Sequence, residues 1–90
     1  MLRIGVLGAG YWGPNVIRTF QELPDSEVAY VCDQRPGRLQ FIGERFPGIN
    51  LTDRYDDLLE DPTLDAIAIV TPVTTHRPLA TAALEAGKHV

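Results

Sequence analysis

The stretch RIGVLGAGYWGPNVIRTF, Arg3 to Phe20, decides how the rest of the chain is read. RIGVLG is a short apolar run closed by glycine, the pattern of a buried strand. From about Trp12 to Leu23 the pattern turns helical, with Val16, Ile17, Phe20 and Leu23 on one face at the 3.6-residue period. Gly8, Gly10 and Gly13 stand between strand and helix as G-x-G-x-x-G. Each glycine has a separate physical task. Gly8 permits the tight turn out of the strand, Gly10 lets a pyrophosphate approach a backbone with no Cβ, and Gly13 brings the helix close to the sheet. The ligand's charge then rests on free N–H groups at the helix N-terminus and on the helix dipole. Tyr11 and Trp12 fit this loop if they point away from the phosphates, and Pro14 falls in the first helical turn, where its missing N–H costs little. Glycines at such spacing also occur by chance. The plainer alternative is a strand–helix turn with Trp12 filling the core.

Outward from this loop the same alternation continues. Val28 to Cys32 is an all-apolar strand closed by Asp33. Pro36 opens a helix to about Phe46, with Leu39, Ile42 and Phe46 inward. A weak strand is expected around Ile49 to Leu51, then a short helix holding Leu58 and Leu59, with Asp53 as its cap. Asp65 to Val70 is a third strong strand. Thr74 or Thr75 can cap a last helix, Arg77 to Ala86, and Gly87 suits its end. Lys88 to Val90 reads as the start of another strand. Strands apolar on both faces, alternating with helices, predict an α/β doubly wound parallel sheet of about five strands with helices on both sides. The reading is one domain over residues 1–90, a piece of a larger protein.

The bulk properties narrow the function. A net charge of −4, with seven scattered arginines and no basic run, argues against nucleic acid or an anionic membrane as partner. The apolar stretch Ala66 to Val70 is too short to span a bilayer. The single cysteine, Cys32, leaves no internal disulfide, and it fits a reducing, cytoplasmic setting. His76 and His89 lack partners at ligand spacing, so no metal site is expected. No nucleophile motif is present. The acidic DRYDDLLED, Asp53 to Asp61, reads as a solvated helix face.

Asp33 lies 20 positions beyond Gly13, at the end of the second strand. There a carboxylate accepts the hydroxyls of an adenosine ribose and repels a 2′-phosphate, which favours NAD over NADP. Asp33 can equally be a helix cap before Pro36. Arg35 and Arg38 can pair with a 2′-phosphate, so NADP stays open. TPVTTHRP, Thr71 to Pro78, leaves the carboxyl end of the third strong strand, where ligands bind in such sheets. Thr71 and Pro72 would wall the cofactor. His76 can lie near the nicotinamide or be an exposed residue at a helix start.

Taken together, GAGYWGPN, CDQRPGRL and TPVTTHRPLATAALEAGKHV resemble the N-terminal domain of the glucose–fructose oxidoreductase/inositol dehydrogenase (Gfo/Idh/MocA) family over the whole chain. The glycine loop is common to many Rossmann proteins. The TPxxxH turn followed by ALEAGKHV is far more specific. GYWGPN is similar to members that oxidise nucleotide-linked sugars. The resemblance implies NAD(P)-dependent hydride transfer at a sugar hydroxyl, with cofactor contacts at Gly8, Gly10, Tyr11, Trp12, Gly13, Asp33, Thr71, Pro72 and His76. It implies no catalytic residue here. The family's lysine belongs to a Glu-Lys-Pro motif beyond Val90, and Lys88 occupies a different position. Substrate contacts and the oligomer interface belong to a C-terminal domain also beyond Val90. The alternatives are a non-catalytic dinucleotide-binding or redox-sensing module, and a CoA-binding or other nucleotide domain, which Asp33 disfavours.

Overall fold

The first strand, β1 (Leu2–Leu7), becomes the centre of the sheet because its apolar residues serve both faces: Val6 is fully buried on one side and Leu7 on the other. The computed structural model describes residues 1–10, 12–71 and 76–90. After β1 come α1 (Gly13–Glu22), β2 (Ser26–Cys32), α2 (Pro36–Arg45), β3 (Asn50–Thr52), α3 (Tyr55–Glu60), β4 (Ala66–Ile69) and α4 (His76–Glu85). All pairings are parallel, in the order β3-β2-β1-β4. The chain moves outward from β1 to β3, then returns to add β4 on the other side of β1. The direction of winding therefore reverses between β1 and β4.

Helices cover both faces, as the apolar pattern requires. On one face Val6, Val28 and Val31 pack with Ile17 of α1 and Ile42 of α2. On the other, Leu7, Ala29, Cys32 and Ile67 pack with Leu58 of α3, Leu64 and Ala83 of α4. Burying such side chains stabilises the fold by about 1.5–3 kcal/mol each, before the opposing chain entropy. The Cys32 thiol lies in this core. Burial, and then the nearby Asp33 charge, push its pKa up to about 11, so it acts as packing and not as a nucleophile.

Three expectations change. Of the expected fifth strand only a bridge forms, Ala66 to His89, with the Ile67 N–H donating to the His89 carbonyl at 2.9 Å. Leu23 does not join the inward face of α1. The chain is already extended there, and Leu23 is 49% exposed, because the Pro24 ring disfavours helical backbone at the residue before it and offers no N–H to the Phe20 carbonyl, which accepts the Ser26 hydroxyl at 2.6 Å instead. Asp53 does not cap α3, whose N-cap is Arg54. The turn is held instead by the Thr52 hydroxyl, which accepts the Arg54 N–H at 3.1 Å and donates to the Asp57 carboxylate. Gly87 ends α4 at φ +82°, as expected. The threonines proposed as the cap of α4, Thr74 and Thr75, lie outside the described residues. Among the described residues no helix is long and apolar enough to cross a membrane.

Candidate functional site

The reversal of winding opens a crevice over the carboxyl ends of β1 and β4, the place where open parallel sheets bind ligands. Gly8 forms its floor. The Gly8 N–H donates to the Cys32 carbonyl at 2.8 Å, and the Val70 N–H donates to the Leu7 carbonyl at 2.8 Å, which fixes three strand ends together. Gly8 has φ +103°, and a Cβ there would lie 3.1 Å from both the Thr71 nitrogen and the Val70 carbonyl carbon. Turn conformation and close approach both demand glycine.

Gly13 meets the third of the three tasks read from the motif. A Cβ on it would stand 3.2 Å from the Gly8 carbonyl oxygen, so its absence lets α1 seat against the loop. Gly10 is different. The nearest atom to a Cβ there is a terminal guanidinium nitrogen of Arg35 at 3.6 Å, an ordinary contact, and its φ is not positive. Among the described residues nothing in the packing requires glycine at this position. Trp12, the N-cap of α1, is 63% exposed. That removes the alternative in which the motif is a turn with Trp12 in the core. The first turn of α1 carries no acidic residue, so its dipole is not neutralised.

Asp33 follows β2, and the register that places Leu7 opposite Cys32 sets it beside the glycine loop. Its carboxylate is buried and fully engaged. Oδ2 accepts the Ala9 N–H at 2.8 Å and Arg35 Nη2 at 2.9 Å. Oδ1 accepts the Arg35 N–H at 2.8 Å and Arg35 Nε at 3.0 Å. Burial pushes this carboxyl up, but the Arg35 side chain, the two backbone N–H groups and the guanidinium charge outweigh it and hold the pKa at about 2. From α2, Arg38 Nε donates to the Ala9 carbonyl at 2.7 Å and Nη2 to the Gly10 carbonyl at 3.2 Å, while its guanidinium lies 4.7 Å from the centre of the Phe41 ring. Gly10, Pro14, Arg35, Arg38 and Phe41 line a cleft of about 410 Å³.

This arrangement carries a pH prediction. Asp33 has a folded pKa below the ordinary value, so it contributes stability above about pH 4 that disappears as pH falls toward 2. Asp33→Asn is expected to lower stability at pH 7 by about 1.5–3 kcal/mol, the range for a hydrogen bond to a charged group. The exposed Arg35 adds little to that figure. The deficit shrinks as the wild-type carboxylate protonates, while Asp61, also held at about 2 by Thr63 and Tyr30, keeps part of the acid slope in both proteins. Urea unfolding at several pH values between 2 and 7 checks this.

Thr71 reaches the site, with its methyl 3.0 Å from where a Gly8 Cβ would be. His76, at the start of α4, bonds through Nε2 to the Thr71 carbonyl at 2.6 Å, which requires a proton on Nε2. It braces the turn and is partly buried. Tyr11 and Pro72 lie outside the described residues. Gly8, Gly10, Trp12, Gly13, Asp33 and Thr71 do come together around the crevice and its adjoining cleft. Arg38 as an anchor of the loop carbonyls was not foreseen, and no local spacing signals a bond between residues 29 apart. The only lysine, Lys88, is buried, with Nζ donating to the Asp61 and Leu64 carbonyls at 2.8 and 3.0 Å. Among the described residues no group of histidine, cysteine and carboxylate side chains could hold a metal ion.

Residues 2–90 match the family model described as the Gfo/Idh/MocA oxidoreductase family, NAD-binding Rossmann fold. The chain is 36% identical to an inositol 2-dehydrogenase of Rhodococcus jostii over 99% of its own length and 25% of that protein's. It superposes with a TM-score of 0.91 on a probable dehydrogenase from Thermotoga maritima, at 31% identity over 99% of this chain and 27% of that one. A 3-ketoreductase from Actinomadura kijaniata, solved in complex with TDP-benzene and NADP, gives a TM-score of 0.87 at 31% identity over 99% and 28%. The chain thus spans about a quarter of the length of these proteins.

Proposed function

This chain belongs to the Gfo/Idh/MocA oxidoreductase family as its NAD-binding Rossmann domain, and we propose that it is the cofactor-holding part of an enzyme that oxidises a sugar or nucleotide-sugar hydroxyl, or reduces the ketone. The observation that carries the reading is Gly10. Among the described residues nothing fills the space over it, at the mouth of a cleft and beside the unneutralised N-terminus of α1. A pyrophosphate would lie on the loop from Gly8 to Gly13, against α1's N–H groups. The adenosine would extend over Asp33, Arg35 and Phe41. The nicotinamide would face Thr71 and His76.

A bound nicotinamide supplies the hydride acceptor or donor. This chain's residues orient it: Arg38 fixes the loop carbonyls so that the opposite edges of those peptides face the ligand, and His76 holds the Thr71 carbonyl. Transfer also needs a proton acceptor beside the substrate hydroxyl. Lys88 does not fill that role, since its ammonium is buried on two carbonyls. We therefore assign the proton step, the sugar contacts and any homo-oligomer interface to residues outside these 90, and the working compartment to the cytoplasm.

The test is titration of the 90-residue chain with NADH and NADPH, following Trp12 emission and energy transfer to the reduced nicotinamide. Saturable quenching by at least one of them, with no sugar oxidation by the chain alone, is the expected result. A folded chain that binds neither would overturn the reading.

A further inference from the structure

We propose that Arg35 sets the cofactor preference, and that by occupying Asp33 it makes the site take an adenosine ribose bearing a 2′-phosphate ahead of a free ribose diol. The inference rests on the dinucleotide reading above and reverses the preference that Asp33 alone suggests.

A ribose diol is recognised by a carboxylate with open lone pairs. Asp33 has none to offer: two N–H groups reach each oxygen, and its side chain is only 5% exposed. For a diol to bind, its hydroxyls would have to displace Arg35 Nε and Nη2 from the carboxylate, exchanging two charge-assisted bonds for two to a neutral donor. The Arg35 side chain, by contrast, is 63% exposed and lines the cleft. Arg35 uses two of its five guanidinium N–H groups on Asp33, and Arg38 uses two of its five on the loop carbonyls. Each keeps three. They border one cleft with Gly10, so a phosphate on the ribose would meet donors from both guanidiniums while the pyrophosphate lies on the loop. The local charges, two guanidiniums against one matched carboxylate, sum to positive, which suits a phosphate dianion. Arg38 also holds the loop, so it serves both cofactors, whereas Arg35 distinguishes them.

The experiment compares the 90-residue chain with Arg35→Gln and Arg38→Gln, measuring Kd for NADPH, NADH, 2′,5′-ADP and ADP by calorimetry at fixed salt. Glutamine at position 35 keeps a donor for Asp33 and removes the charge. The wild type is expected to bind NADPH and 2′,5′-ADP about tenfold or more tightly than NADH and ADP, the scale of one charge-assisted bond. Arg35→Gln should abolish that ratio, and Arg38→Gln should weaken both members of each pair. If NADH binds as well as NADPH or better, or if Arg35→Gln leaves the ratio unchanged, Arg35 yields to the diol; the inference falls and the dinucleotide site stands. If a folded chain binds none of the four, both fall. Circular dichroism of each variant establishes folding.

Discussion

Gly10→Ala is expected to keep the fold and lose the cofactor. The backbone at Gly10 has no positive φ, and among the described residues a methyl group there meets only an ordinary contact with Arg35. A glycine-to-alanine change at such a position stabilises by about 0.4–1 kcal/mol through the unfolded chain. The same methyl stands where a phosphate would touch the backbone. Overfilling a tight contact costs about 1–3 kcal/mol, which is roughly ten- to a hundredfold in Kd. A variant that melts at or above the wild-type temperature yet binds NADH and NADPH at least tenfold more weakly meets the expectation. Equal binding would show that Gly10 faces no ligand.

Gly8→Val should do the opposite and act on the fold. At φ +103° a β-branched residue is strained by about 1–3 kcal/mol. Its Cβ would also sit 3.1 Å from backbone atoms of Val70 and Thr71, which cannot swing aside because the Val70 N–H is bonded to Leu7. Overpacking adds about 1–3 kcal/mol. A domain of 90 residues has about 5–14 kcal/mol to lose, at about 0.05–0.15 kcal/mol per residue. Chemical denaturation should therefore show a large drop in midpoint, or a chain already unfolded. The two glycines, two positions apart in one motif, thus separate into one required by the protein and one left free by it.

Much of this was legible in the sequence because it follows from apolar period. β1, β2 and β4 are built around the apolar runs Ile4 to Leu7, Val28 to Cys32 and Ala66 to Ile69, and α1, α2 and α4 carry their inward residues at helical spacing, so each is legible to within a residue or two. The errors fall where a neighbouring residue competes with that pattern. Leu23 has the right spacing for the α1 face, but Pro24 turns the residue before it out of the helix. Asp53 has the right chemistry for a cap, but Thr52, one residue earlier, holds the turn. The fifth strand, reduced to a bridge at His89, depends on pairing and not on local pattern.

The site shows the same division. That Gly8, Gly13 and Asp33 meet follows from parallel strands in register. That Arg35 folds back onto Asp33 does not, because it depends on the backbone of a three-residue loop that no period describes. Nor does the bond from Arg38 to Ala9, which exists only once α2 has docked. Sequence therefore located the carboxylate and left open whether it was available. The geometry answers that question, and the answer changes which cofactor the site is expected to prefer.

The central claim is that the loop from Gly8 to Gly13 holds a dinucleotide. It is tested most directly by following the backbone amide resonances of the 90-residue chain in two-dimensional NMR during titration with NADPH and NADH. The predicted result is a saturable shift of the Gly8, Ala9, Gly10, Gly13 and Arg35 amides together, with the amides of α3 unmoved. A folded chain in which those five stay in place at saturating nucleotide, or in which the shifts gather instead along Tyr30, Thr52 and Asp61 at the opposite sheet edge, would contradict it.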